Sequence, residues 1–219
     1  TQDKILQRHK FTNIDRRHDR GTVLLWNLIK DIDDFDAIYA TIIYRFSGSH
    51  NPHIDMMQKT NSEHWENKIK NTTKLFNMSA YQANWGSGKG RGMAFLKNIT
   101  KPLASKVFGY VMEPREDLHT ISDLANKICD FLSELGYPRM RFQATEVSKD
   151  LAWRFSEIID VKSTCHLGPG AIKGIKYIWN PSPGVKVPRG KKAVDTLLQD
   201  SRNPGYDWSV LEHALCEYS

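Results

Sequence analysis

The sequence predicts a mainly α-helical fold, on three observations. Apolar residues recur at intervals of three and four along most of the chain, convincing alternating strands are few, and Gly/Pro or acidic punctuation divides the periodic stretches at helical lengths. In residues 22–46, Leu25, Leu28, Ile29, Ile32, Phe35, Ile38, Tyr39 and Ile42 mark one helix face, as one long helix or two consecutive ones. The run Asp31-Ile32-Asp33-Asp34 interrupts that face, and Asp33 or Asp34 is placed to cap a second helix starting near Phe35. Gly48 with Asn51-Pro52 ends it.

A further helical pattern covers residues 62–77 around Trp65, Ile69 and Phe76, and Gly86 to Gly92, with four glycines, reads as a loop. Residues 92–110 are expected to be helical in part. Ile121-Ser122-Asp123 opens a helix through Leu124, Ile128, Phe131, Leu132 and Leu135 that Gly136 and Pro138 stop. Residues 142–159 predict another helix, and a short one follows Gly168-Pro169-Gly170, because proline suits the first turn. Residues 180–192 are rich in proline, glycine and basic side chains and read as an exposed loop. The last helix is expected from about Trp208 to Tyr218. No repeat or heptad series is present, so the expectation is one helical domain over residues 1–219, or two helical lobes with a cleft between them.

No stretch approaches the roughly 18 consecutive apolar residues of a membrane span, and the N-terminus is charged where a signal peptide would be apolar. Membrane partners are therefore not expected. Cys129, Cys165 and Cys216 are odd in number and far apart, which points to a reducing cytoplasm and away from zinc or iron–sulfur binding. No cofactor or metal is expected. Net charge is +6 but segmental. Residues 1–30 hold 7 Lys/Arg against 3 acids, residues 31–161 hold 16 against 17, residues 162–192 hold 7 against none, and residues 193–219 hold 1 against 5. Two basic segments that converge in space would suit a polyanion such as DNA or RNA; the alternative is a solvated basic surface.

Three constellations carry chemistry. In residues 10–20, Arg16, Asp19 and Arg20 would share one face of a helix, where an aspartate orients guanidinium groups toward phosphate. A surface ion-pair ladder capped by Thr12 or Asn13 is the alternative. At residues 168–176, a glycine-opened helix with Lys173 or Lys176 offers backbone N–H groups and positive charge to an anion, or is an ordinary loop-to-helix turn. Neither this stretch nor Gly86 to Gly90 has the spacing of a nucleotide P-loop. The third constellation is acidic: Asp150, and Glu212, His213, Cys216 and Glu217 on the final helix, whose i, i+4 stripes would line a cleft or be solvated. Tyr81, Trp85, Trp153, Trp179 and Tyr206 lie near glycine or basic residues, as base-stacking groups do, although most such aromatics belong to cores.

Five stretches together resemble a known family. KFTNIDRRHDR is similar to its F-T-N-x-x-R-x-x-D-R opening, IIYRFSGS to the following helix, and FQATEVSKDL to a helix ending in aspartate-leucine. CHLGPGAIKGIK resembles its G-P-G-x-x-x-G element and LEHALCEY its closing segment, in the same order. The family is that of α-glutamyl/putrescinyl-thymine pyrophosphorylases and phage amino acid:DNA transferases, related to the helical domain of 5-hydroxymethyluracil DNA kinases. The resemblance implies a DNA-glycosylase-like helical fold in a phage-infected bacterial host. It implies that an amine, an amino acid such as glycine or a polyamine, replaces phosphate or pyrophosphate on the 5-methylene carbon of phosphorylated 5-hydroxymethyluracil in double-stranded DNA, after a DNA kinase has acted.

On that basis Thr12, Asn13, Arg16, Arg20, Lys173 and the Gly168 and Gly170 amides are expected at phosphate and DNA backbone. Asp19 would position Arg16 or Arg20. Asp150, which stands where a helix-hairpin-helix glycosylase has its aspartate, and Glu217 are the candidate bases. Arg45, with Glu212, would hold the amine donor, unless Arg45 pairs with an interior aspartate. A base-excising glycosylase of the same fold and a non-catalytic DNA-binding partner of the kinase are the other readings.

Overall fold

The computed structural model describes residues 15–47, 62–70, 91–114, 116–178, 190–199 and 207–217, and they are mainly helical. The chain divides into two compact units, one of residues 21–161 and one of residues 1–20 with 162–219.

The larger unit takes in helix α1 (Arg20–Ile29) from Gly21 onward, and helix α2 (Asp34–Ser47) is separate from it. The break has a local cause: the Asp33 carboxylate accepts the N–H of Phe35 at 2.9 Å while its carbonyl accepts that of Ala37 at 2.8 Å. Helix α2 is buried on nearly all sides, from Ala37 through Tyr44 and again at Phe46 and Ser47, so it forms the centre of the unit. Helix α3 (Ser62–Lys70) packs on it with Trp65 fully buried.

Helix α4 (Arg91–Phe95) runs through a π-helical segment, Leu96–Thr100, into helix α5 (Lys101–Met112), so residues 92–110 are helical throughout and not only in part. Pro102 explains the π segment. It has no N–H to donate to the preceding turn, and the wider turn upstream makes room for its ring.

Helix α6 (Ile121–Glu134) is capped by Thr120, whose hydroxyl oxygen accepts the Asp123 N–H at 3.0 Å. It stops at Gly136 as the sequence implies. Gly136 takes φ +83°, its N–H donates to the Ser133 carbonyl and that of Tyr137 to Leu132, the double bond of a Schellman motif. Helix α7 (Arg141–Arg154) returns against α6 and also packs on α2. It is shorter than the 142–159 expected, because residues 159–160 leave the helix to pair as a short parallel bridge with His119–Thr120. Arg154 fastens the end of α7 to the α1–α2 turn, donating to the Ile29 carbonyl at 2.9 Å and to the Asp34 carboxylate at 2.7 Å.

The smaller unit contains a 3-10 turn, Arg16–His18, and helices α8 (Pro169–Ile178), α9 (Lys191–Leu198) and α10 (Trp208–Glu217). Pro169 opens α8, as its missing N–H allows. Helices α8 and α10 cross closely at Gly174, where an added Cβ would lie 2.0 Å from the Leu215 carbonyl oxygen. Helix α9 corrects the sequence reading, which carried the loop through residue 192; Ala193 and Val194 are buried and draw the segment into a helix.

Candidate functional site

The larger unit brings together residues far apart in the sequence. Arg45 on α2 meets Asp150 on α7, with Nε 2.6 Å from Oδ2 and Nη2 3.1 Å from Oδ1. The guanidinium also donates to the Thr22 hydroxyl at 3.0 Å, and Glu146 stands 3.8 Å away. The indole N–H of Trp26 donates to Asp150 Oδ1 at 3.0 Å. Lys149, 1% exposed, pairs with Glu146 at 3.0 Å, so two cations and two carboxylates neutralise one another in the interior. Asp150 has no exposed surface and accepts from three donors. Such a carboxylate orients its partners, holding the Arg45 guanidinium and the Trp26 indole in place. The interior Arg–Asp pair, the alternative left open from sequence, is what forms.

The helix face expected to unite Arg16, Asp19 and Arg20 does not exist. Asp15 caps the 3-10 turn, Asp19 ends it in an extended conformation, and a new helix begins at Arg20. Arg16 is 3% exposed, in a turn that packs against α10, whereas Arg17 and Arg20 are exposed. Arg17 lies 2.6 Å from Asp15, and its hydrogen bonds hold that carboxyl below its usual value. Thr12 and Asn13 lie outside the described residues, and so does the side chain of Glu217.

The N-terminus of α8 carries a carboxylate from its own chain. Glu212 on α10, 3% exposed, accepts the Gly168 N–H at 3.1 Å. A buried anion at a helix N-terminus is favourable, and it occupies one of the amides expected to bind phosphate. Glu212 therefore ties α10 to the start of α8. Lys173 and Lys176 are exposed on α8.

Charge sorts by unit. The chain stretches 1–20 and 162–219 contain 14 Lys/Arg and 8 Asp/Glu, whereas residues 21–161 contain 17 of each. The whole excess of +6 therefore belongs to the smaller unit, which holds 6 of the 7 Lys/Arg of the first basic segment and the whole of the second segment. Among the described residues, no helix is long and apolar enough to cross a membrane.

The sequence reading missed the face-to-face stack of Trp26 on Trp153, because nothing in local periodicity links α1 to α7. No curated protein matches this chain, and no solved structure does either. A family model described as the 5-hmdU DNA kinase, helical domain, matches residues 1–219, hence the full length given. With its helical architecture and its excess positive charge gathered in one unit, the chain belongs to the family of the 5-hmdU DNA kinase helical domain.

Proposed function

We propose that the protein acts in the hypermodification of thymine in DNA, transferring an amine to the 5-methylene carbon of phosphorylated 5-hydroxymethyluracil. The family match over residues 1–219 supports the tie to hydroxymethyluracil in DNA, and the motif stretches that resemble the amino acid:DNA transferases support the transfer. In the reaction an amine nitrogen forms a bond to the methylene carbon, and the carbon–oxygen bond to phosphate or pyrophosphate breaks with its electron pair on the leaving group. A base takes the proton that the amine loses. The smaller unit supplies the cations this needs, with Arg20 and Lys173 exposed to DNA phosphate and the leaving anion. Of the two candidate bases, Asp150 is buried against Arg45, and the reading takes Glu217, at the end of α10, as the base.

The test is incubation with kinase-phosphorylated 5-hydroxymethyluracil DNA and a mixture of amines, followed by nucleoside mass analysis. A nucleoside heavier than 5-hydroxymethyldeoxyuridine by one amine less one water is expected, lost in Glu217→Gln. Unchanged nucleosides, with the kinase product shown present, would sink the transferase reading. A second reading, a non-catalytic DNA-binding partner of a 5-hydroxymethyluracil DNA kinase, is favoured by the burial of Asp150 and Glu212. It predicts binding to the same DNA with no change of mass. Release of free base would instead indicate a glycosylase.

A further inference from the structure

We infer that the Trp26–Trp153 pair is a stacking platform for an unpaired DNA base. The two indoles lie 4.7 Å apart between ring centroids and 4° from parallel, one on α1 and one on α7. Trp26 covers one face of Trp153, yet Trp153 remains 38% exposed, so the stack is open to solvent on the Trp153 side. Among the described residues the other large exposed apolar side chains are Leu118 and Ile172, neither of which presents an aromatic plane.

The platform is rigid from beneath. The Trp26 indole N–H is held by Asp150, which is fully buried and fixed in turn by Arg45. The residue following Trp153, Arg154, binds the main-chain carbonyl of Ile29 at the end of α1 and the Asp34 carboxylate at the start of α2. Both helices that bear the rings are thereby fastened together, and a ring already immobilised loses little entropy when a second flat group stacks on it. The buried Arg45–Asp150 pair thus acquires a purpose besides packing: it orients a surface aromatic.

The chemical class that matches a fixed, solvent-facing indole is a planar ring, and in a family tied to DNA bases that ring is a nucleobase turned out of its stack. This inference rests on the DNA-modification reading above. It predicts which part of the DNA is felt at this position: the base, and not the phosphate.

The test compares binding of a single-stranded oligonucleotide with that of a strand of equal length made of abasic spacers, at one salt concentration, by fluorescence anisotropy. Wild-type protein is expected to prefer the base-bearing strand by about fivefold or more. Trp153→Ala is expected to abolish that preference while leaving the salt dependence unchanged, and Trp153→Phe to retain most of it. Should the alanine variant fail to fold, Trp153→Leu keeps apolar volume without a π face and reads the same comparison. Equal binding of the two strands by wild-type protein, or a preference that survives Trp153→Ala, overturns the platform alone. Wild-type protein that binds neither strand overturns the DNA-binding reading together with it.

Discussion

Asp150 shows how burial decides a residue's work. A carboxylate at zero exposure persists because Arg45 lies 2.6 Å away and the Trp26 indole and a second guanidinium nitrogen take up its remaining lone pairs. Removing one member of such a pair strands the other charge in the interior, whereas replacing both with apolar groups of similar volume is far less harmful. Asp150→Ala is therefore expected to lower unfolding free energy by roughly 3–5 kcal/mol in denaturant titration. The double variant Arg45→Met with Asp150→Leu should recover most of that loss. An Asp150→Ala protein that loses activity at undiminished stability would return Asp150 to the list of bases. From sequence, the FQATEVSKDL stretch marks Asp150 as special, and it is; what could not be read there is that its partner stands 105 residues away.

At the scale of elements, local rules account for most boundaries. The Asp33 cap, the Gly136 stop and Pro169 at the start of α8 are each legible in the sequence, because the atoms involved lie within a few residues of one another. The glycine of the G-P-G-x-x-x-G element at position 174 has another kind of reason. Its missing Cβ lets α8 approach the backbone of α10, and no side-chain rearrangement can relieve a methyl group set 2.0 Å from a main-chain oxygen. Gly174→Ala is expected to cost roughly 3 kcal/mol and to separate α8 from α10. Hydrogen exchange should show lost protection confined to residues 162–219; unchanged protection there would remove the close-approach explanation.

For the molecule as a whole, what matters is that one unit carries the net charge of +6 and the other is neutral. If the basic unit meets DNA phosphate, affinity should fall steeply with salt, and Lys173→Ala and Lys176→Ala should each lower the slope of log affinity against log salt by about one. Lys97→Ala, an exposed cation of the neutral unit, should leave the slope unchanged. An unchanged slope in both α8 variants would assign the charge pattern to solubility.

By itself the sequence determined the helical class, most helix ends, the gathering of basic residues in particular segments, and the relation to the 5-hmdU DNA kinase helical domain, because periodicity, capping and motif order are local properties of a chain. Tertiary structure alone decided which candidate charges remain accessible. It paired Arg45 with Asp150, set Glu212 against the Gly168 amide, broke the expected Arg16–Asp19–Arg20 face at an extended residue, and laid Trp26 on Trp153. The physical reason is the same throughout: a helix's period fixes which residues share its face, but only the packing of one helix on another fixes what that face meets.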